Sequence, residues 1–147
     1  MQQADALYEL IYQFRPFRSD ANDAIWDVNG CRNLSNAQNK LRAIARKRQE
    51  QVEHLATLNV SKVPDHDRLV AALKHAWITS AQTDTAYANI AADLQIGCTS
   101  GAITMDPSYQ QADADAQAGS VAKAEATRLW NTNADALGQL QISEAEL

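Results

Sequence analysis

Four long stretches of this chain carry apolar residues at alternating three- and four-residue steps, a spacing that admits little besides helices packed side by side. In the first, residues 1–30, the series is Leu7, Leu10, Phe14, Phe17, Ala21, Ile25 and Val28. The second, about Leu34 to Leu58, gives Leu34, Ala37, Leu41, Ile44, Arg48, Gln51, Leu55 and Leu58. The third, His66 to about Ile96, gives Val70, Leu73, Trp77, Ser80, Asp84, Tyr87, Ala91 and Leu94. The fourth starts at Pro107 and gives Tyr109, Ala112, Ala116, Gly119, Lys123, Ala126, Trp130, Asn133 and Leu137. Alanine, the strongest helix former, supplies close to one residue in five. Five glycines and three prolines are too few for a turn-rich β-sandwich or a glycine-loop nucleotide enzyme.

The breaks fall between these stretches. Gly30 ends the first, because glycine most readily takes the left-handed C-terminal conformation. Pro16 interrupts it earlier, either as a kink or as an end at Arg15 with a restart capped by Ser19. Asn59 to Pro64 connects the second to the third, with Asp65 placed as N-cap; Gly97 to Gly101 ends the third. Asp106-Pro107 opens the fourth, and Ser143 with Glu146 forms a capping-box pattern near the end. Connections this short suit antiparallel neighbours. The expected fold is all-α: an up-down-up-down antiparallel four-helix bundle forming one domain over 1–147, with 138–147 as a short C-terminal extension.

Cys31 and Cys98 lie at the first and third junctions, which such a bundle places at the same end. A disulfide is therefore expected, and with it an extracytoplasmic setting. The alternative is two unrelated buried thiols in a cytosolic protein. Two cysteines without a nearby histidine do not make a zinc site.

Charge interrupts three of the stripes. Folding the second and third helices about their connector sets Arg48 near Ser80, with Asp84 one turn on; folding the fourth back brings Lys123 to the same height. The simpler reading of Arg48, Ser80, Asp84 and Lys123 is a buried Arg48–Asp84 ion pair closed by the other two, fixing register. The alternative is a ligand site, a small-anion pocket or a proton-handling site.

Other chemistry is poorly supported. No P-loop, dinucleotide fingerprint, zincin, nucleophile-elbow or calcium-loop motif occurs. The only glutamate near a histidine is Glu53, directly before His54, so the Glu-x-x-His pairs of di-iron bundles are missing. His54, His66 and His75, with Asp65 and Asp67, gather towards one end and read as solvated helix-end side chains. No enzyme activity, metal or cofactor is expected. The net charge of −5 opposes a general nucleic-acid binder, although Arg32 to Lys62 holds seven basic residues against two acidic. Those cations spread round the helix without base-stacking aromatics, so nucleic acid is a weak third reading, in which the chain is a cytosolic regulatory protein with a basic binding helix. Trp26 lies beside the stripe residue Ile25 and is the expected contact surface for a protein partner.

Several of these residues also carry a resemblance. Cys31, Arg48 followed by Leu55 and Leu58, the Val60-to-Pro64 connector, Leu73-x-x-Ala76-Trp77-x-x-Ser80, Asp84-x-x-Tyr87, Gly97-Cys98, and Lys123 ahead of Leu129-Trp130-Asn131 resemble the helical extracytoplasmic region of a group of actinobacterial membrane-anchored or secreted proteins. The resemblance covers about two-thirds of the chain, from Cys31 to Trp130, and departs at Thr132-Asn133-Ala134, where a proline-containing segment is expected. It implies a helical fold, the two cysteines as a pair, and a signal or membrane segment preceding the domain, so that contact with a membrane runs through a segment not present in this chain. It implies no activity. The expectation is a non-catalytic extracytoplasmic interaction or sensing domain, with an unknown protein partner or a small ligand.

Overall fold

The computed structural model describes residues 2–147, and all regular structure among them is helical. The elements are α1 (Gln2–Phe14), α2 (Pro16–Asn29), α3 (Leu34–Thr57), α4 (His66–Asp93), α5 (Ser100–Met105) and α6 (Pro107–Ala134). Single 3-10 turns at Asp135–Leu137 and Glu144–Glu146 follow.

Pro16 divides the first stretch without disordering it. It lacks an N–H and serves as the first residue of α2, while Arg15 keeps helical angles (φ −57°, ψ −33°). The restart is therefore at Pro16, not Ser19. At the other end of α2 the left-handed residue is not Gly30 (φ −91°) but Cys31 (φ 54°). Arg32 N donates to Asp27 O at 2.8 Å and Cys31 N to Val28 O at 3.0 Å, the bonds that close a helix around a left-handed residue. Asp65 stands at the N-cap of α4 in a left-handed conformation with no side-chain capping bond. Asp106 does cap α6, its Oδ1 accepting from Ser108 N at 2.9 Å. The capping box at Ser143 and Glu146 is formed. The short α5, which the spacing does not foretell, is capped by Thr99 and held by the buried Ile103.

The helices make a bundle-like packing in which α4 lies against both α3 and α6, and α2 lies on α3. Two apolar clusters result. One contains Leu7, Leu10, Leu55, Leu69, Leu73, Trp77, Trp130 and Leu147; the other contains Val28, Leu41, Ile44, Ile90 and Ile103, towards the cysteines. Along α3, Arg48 falls between Ile44 and Leu55, and along α4, Asp84 falls between Trp77 and Ala88. The polar layer thus separates the clusters.

The buried face of α6 is turned by about one residue from the expected stripe. Ala112, Asp115, Gly119, Ala122, Ala126, Leu129 and Trp130 are buried, whereas Ala116 is exposed and Lys123 is only half-buried. At Gly119, which the two series share, a Cβ would stand 2.9 Å from Thr79 Oγ1, so the two backbones approach where no side chain intervenes. In α4, by contrast, buried residues lie on nearly every side, as its place between neighbours demands.

Cys31 and Cys98 form a disulfide, with Cα atoms 5.7 Å apart across a sequence separation of 67. Closing a loop of that length removes denatured-state entropy amounting to about 4 kcal/mol in the chain-entropy model. The bond suggests a non-reducing compartment. No helix among the described residues is long and apolar enough to cross a membrane.

Candidate functional site

Arg48, Ser80, Asp84 and Lys123 all border one cleft, but Arg48 and Asp84 alone are paired, and Ser80 and Lys123 do not close the network. α3 contributes Arg48 and α4 contributes Asp84, both almost fully buried, and Arg48 Nε lies 3.5 Å from Asp84 Oδ2. The two atoms form an ion pair, and both are buried without a hydrogen-bond partner of good geometry. Arg48 is also tied down by its Nη1, which donates to Leu147 O at 3.1 Å.

Ser80, Asp84, Arg48 and Lys123 line a cleft of about 250 Å³. Its other walls are Arg18, Asn22 and Ile25 from α2, Thr83 and Tyr87 from α4, and Asp115, Gly119 and Ser120 from α6. Four helices therefore contribute to one site. Thr83 Oγ1 donates to Thr79 O at 2.9 Å, and Asp115 Oδ2 accepts from Gln111 Nε2 at 3.1 Å. Ser80 and Lys123 make no side-chain hydrogen bond or ion pair within the described residues.

Burial governs the protonation of the layer. It pushes the Asp84 carboxyl up from 3.8 to about 6, although Arg48 and Lys123 pull the other way. It pulls Lys123 down from 10.5 to about 8, helped by the neighbouring Arg48 and Arg18 and opposed by Asp84 and Glu144. Arg48 is lowered as well, chiefly by burial.

The C-terminal segment closes one side of the site. Arg18 Nη1 donates to Glu144 O, Trp130 Nε1 to Leu140 O at 2.9 Å, and Asn131 Nδ2 to Ile142 O at 2.8 Å. Ile142 N returns a bond to Asn131 Oδ1, also at 2.8 Å. Leu147 is buried at the end of this segment.

Elsewhere, Trp26 is 70% exposed, with the Arg32 guanidinium 5.8 Å from its ring centre. His66 Nδ1 lies 3.0 Å from Val63 O, and no three metal-ligating side chains come together among the described residues. Five site residues escaped the spacing argument: Arg18, Asn22, Thr83, Asp115 and Ser120. Arg18 and Asn22 each sit one position after a stripe residue, Phe17 and Ala21, and that offset from a buried stripe was the available signal. Asp115 was hidden by the one-residue rotation of α6. No protein-family model, curated protein or solved structure matches this chain, so its own residues carry the functional argument.

Proposed function

We propose that this chain is a non-catalytic helical sensing domain working outside the cytoplasm, and that the cleft at Arg48, Ser80, Asp84 and Lys123 is where it takes a small ligand. One observation carries the reading: a cleft of about 250 Å³ opens onto a buried ion pair whose facing atoms lack hydrogen bonds. A layer serving register alone has no need of a cleft or of uncommitted donors. The disulfide supports the extracytoplasmic part. The resemblance to actinobacterial membrane-anchored or secreted proteins is in keeping with it, and implies an anchor or signal before the domain.

Within this reading the helices run up-down-up-down, with α1 and α2 together as the first rod. The packing of α4 on α3 and α6 and the bridge between the two junctions support that order. A protein partner is the second reading, favoured by the exposed Trp26.

Thermal unfolding in the presence of small metabolites of every charge class tests the proposal. At least one should raise the melting temperature saturably in the wild-type chain and lose that effect in Ser80→Ala, whose small change leaves the packing intact. A panel without such a compound, or one that stabilises Ser80→Ala equally, would count against the cleft as a ligand site.

A further inference from the structure

We propose that the cleft takes a small organic anion, its carboxylate or phosphate oxygens held by Lys123, Ser80 and Arg18. This rests on the ligand-site reading above and names the chemistry of the ligand. The first support is the inventory of donors. Lys123 has three N–H donors and Ser80 one O–H, none engaged within the described residues, and Arg18 has engaged only Nη1, on Glu144 O. On the acceptor side, Asp84 Oδ2 faces Arg48 and Asp115 Oδ2 accepts from Gln111, which leaves the second oxygen of each carboxylate and the Asn22 amide oxygen beside these donors.

Charge supports the same sign. Arg18 from α2, Arg48 from α3 and Lys123 from α6 line the cleft with Asp84 of α4 and Asp115 of α6, three cations to two carboxylates. Of the remaining groups, Tyr87 of α4 is neutral below its raised pKa. Asp115 is eight residues from Lys123 along α6, roughly 12 Å by helical rise. Glu144 acts on Lys123 from the C-terminal segment. A cation entering the cleft would meet this excess; an anion would neutralise it. The cleft volume, about 250 Å³, exceeds that of a bare inorganic ion, and Ala21, Ile25 and Ala116 offer apolar surface to a short carbon skeleton.

The protonation state adds a readout. Lys123 is held at about 8 and Asp84 at about 6. An anion beside Lys123 restores its proton, so affinity should fall roughly tenfold per pH unit once pH exceeds about 8. Protonation of Asp84 removes the opposing charge beside Arg48 and Lys123, so affinity should rise again as pH drops through about 6.

The test is calorimetric titration at constant ionic strength with succinate, citrate, glycerol 3-phosphate and inorganic phosphate, against neutral succinamide and cationic putrescine. Saturable binding of an organic anion is expected, weakened at least tenfold in Lys123→Met, retained in Lys123→Arg, and falling above pH 8. Arg18→Gln, whose side chain is partly exposed, provides a second variant if Lys123→Met fails to fold. Binding of the carboxylates alone assigns a carboxylate ligand, and binding of glycerol 3-phosphate alone a phosphate ester. Anion binding equal in wild type and both charge-removing variants overturns the proposal. Ser80-dependent binding of succinamide or putrescine with no anion bound also overturns it while leaving the ligand-site reading standing. Silence from every compound overturns both.

Discussion

Arg48 and Asp84 occupy positions that their helices' spacing reserves for apolar side chains, and the cost should be measurable. A carboxyl held at about 6 instead of 3.8 keeps its proton in the folded chain over an interval in which the unfolded chain has lost it. Folding stability should therefore fall as pH rises from about 4 to 6, by about 3 kcal/mol from Asp84. Lys123 has the opposite sense: its folded pKa is depressed, so stability should recover as pH rises from about 8 towards 10.5. Denaturant unfolding across this range should show a trough between pH 6 and 8, and Asp84→Asn should remove its acid side. Removing either partner strands a buried ion, so Asp84→Ala or Arg48→Met alone should cost about 3–5 kcal/mol. Arg48→Met with Asp84→Leu should recover most of that loss, read in a double-mutant cycle. The meeting of these residues was legible because helical spacing fixes height along a rod. The cleft beside them was not, since its wall on the α2 side is built from Arg18 and Asn22, which lie off the apolar stripe.

At the scale of elements, α4 and α6 are set by one small residue. Gly119→Ala would drive a methyl against Thr79 Oγ1, which is itself bonded to His75 O at 2.7 Å. A loss of about 1–3 kcal/mol is expected, with rescue by adding Thr79→Ala; chemical denaturation of the three variants decides it. Ala116 and Lys123 satisfy a three-four repeat as well as Asp115 and Ala122 do, and Gly119 belongs to both series. Spacing names a set of faces, and the packing of the neighbouring helices selects among them. The caps at Asp106 and Ser143 were legible because the motif contains its own partners. The fold-back of 138–147 onto Trp130 and Asn131 was not, because its bonds are to backbone carbonyls of Leu140 and Ile142, which any sequence presents.

For the whole molecule, the decisive long-range tie is Cys31–Cys98. Its placement was legible from two cysteines at two junctions, whereas the left-handed backbone at Cys31 itself was not, since glycine stood next to it. Reduction, or the Cys31→Ser and Cys98→Ser double variant, should lower unfolding free energy by about 2–4 kcal/mol. Helical circular dichroism should persist in the absence of denaturant, because both apolar clusters remain. Loss of helicity on reduction alone would mean that the clusters cannot hold the fold by themselves.

The same bond also determines how the molecule would carry a load. Pulled by its two ends, the chain would transmit tension across the bridge, leaving the 67-residue span from Cys31 to Cys98 slack and withholding about 230 Å of contour length. α3 and α4 fall inside this shielded span, whereas α2 and α6 lie in the stretched segments. Arg48 and Asp84 would then be held still while Arg18 and Lys123 were drawn away from them. The cleft would therefore yield to force before the α3–α4 pair did.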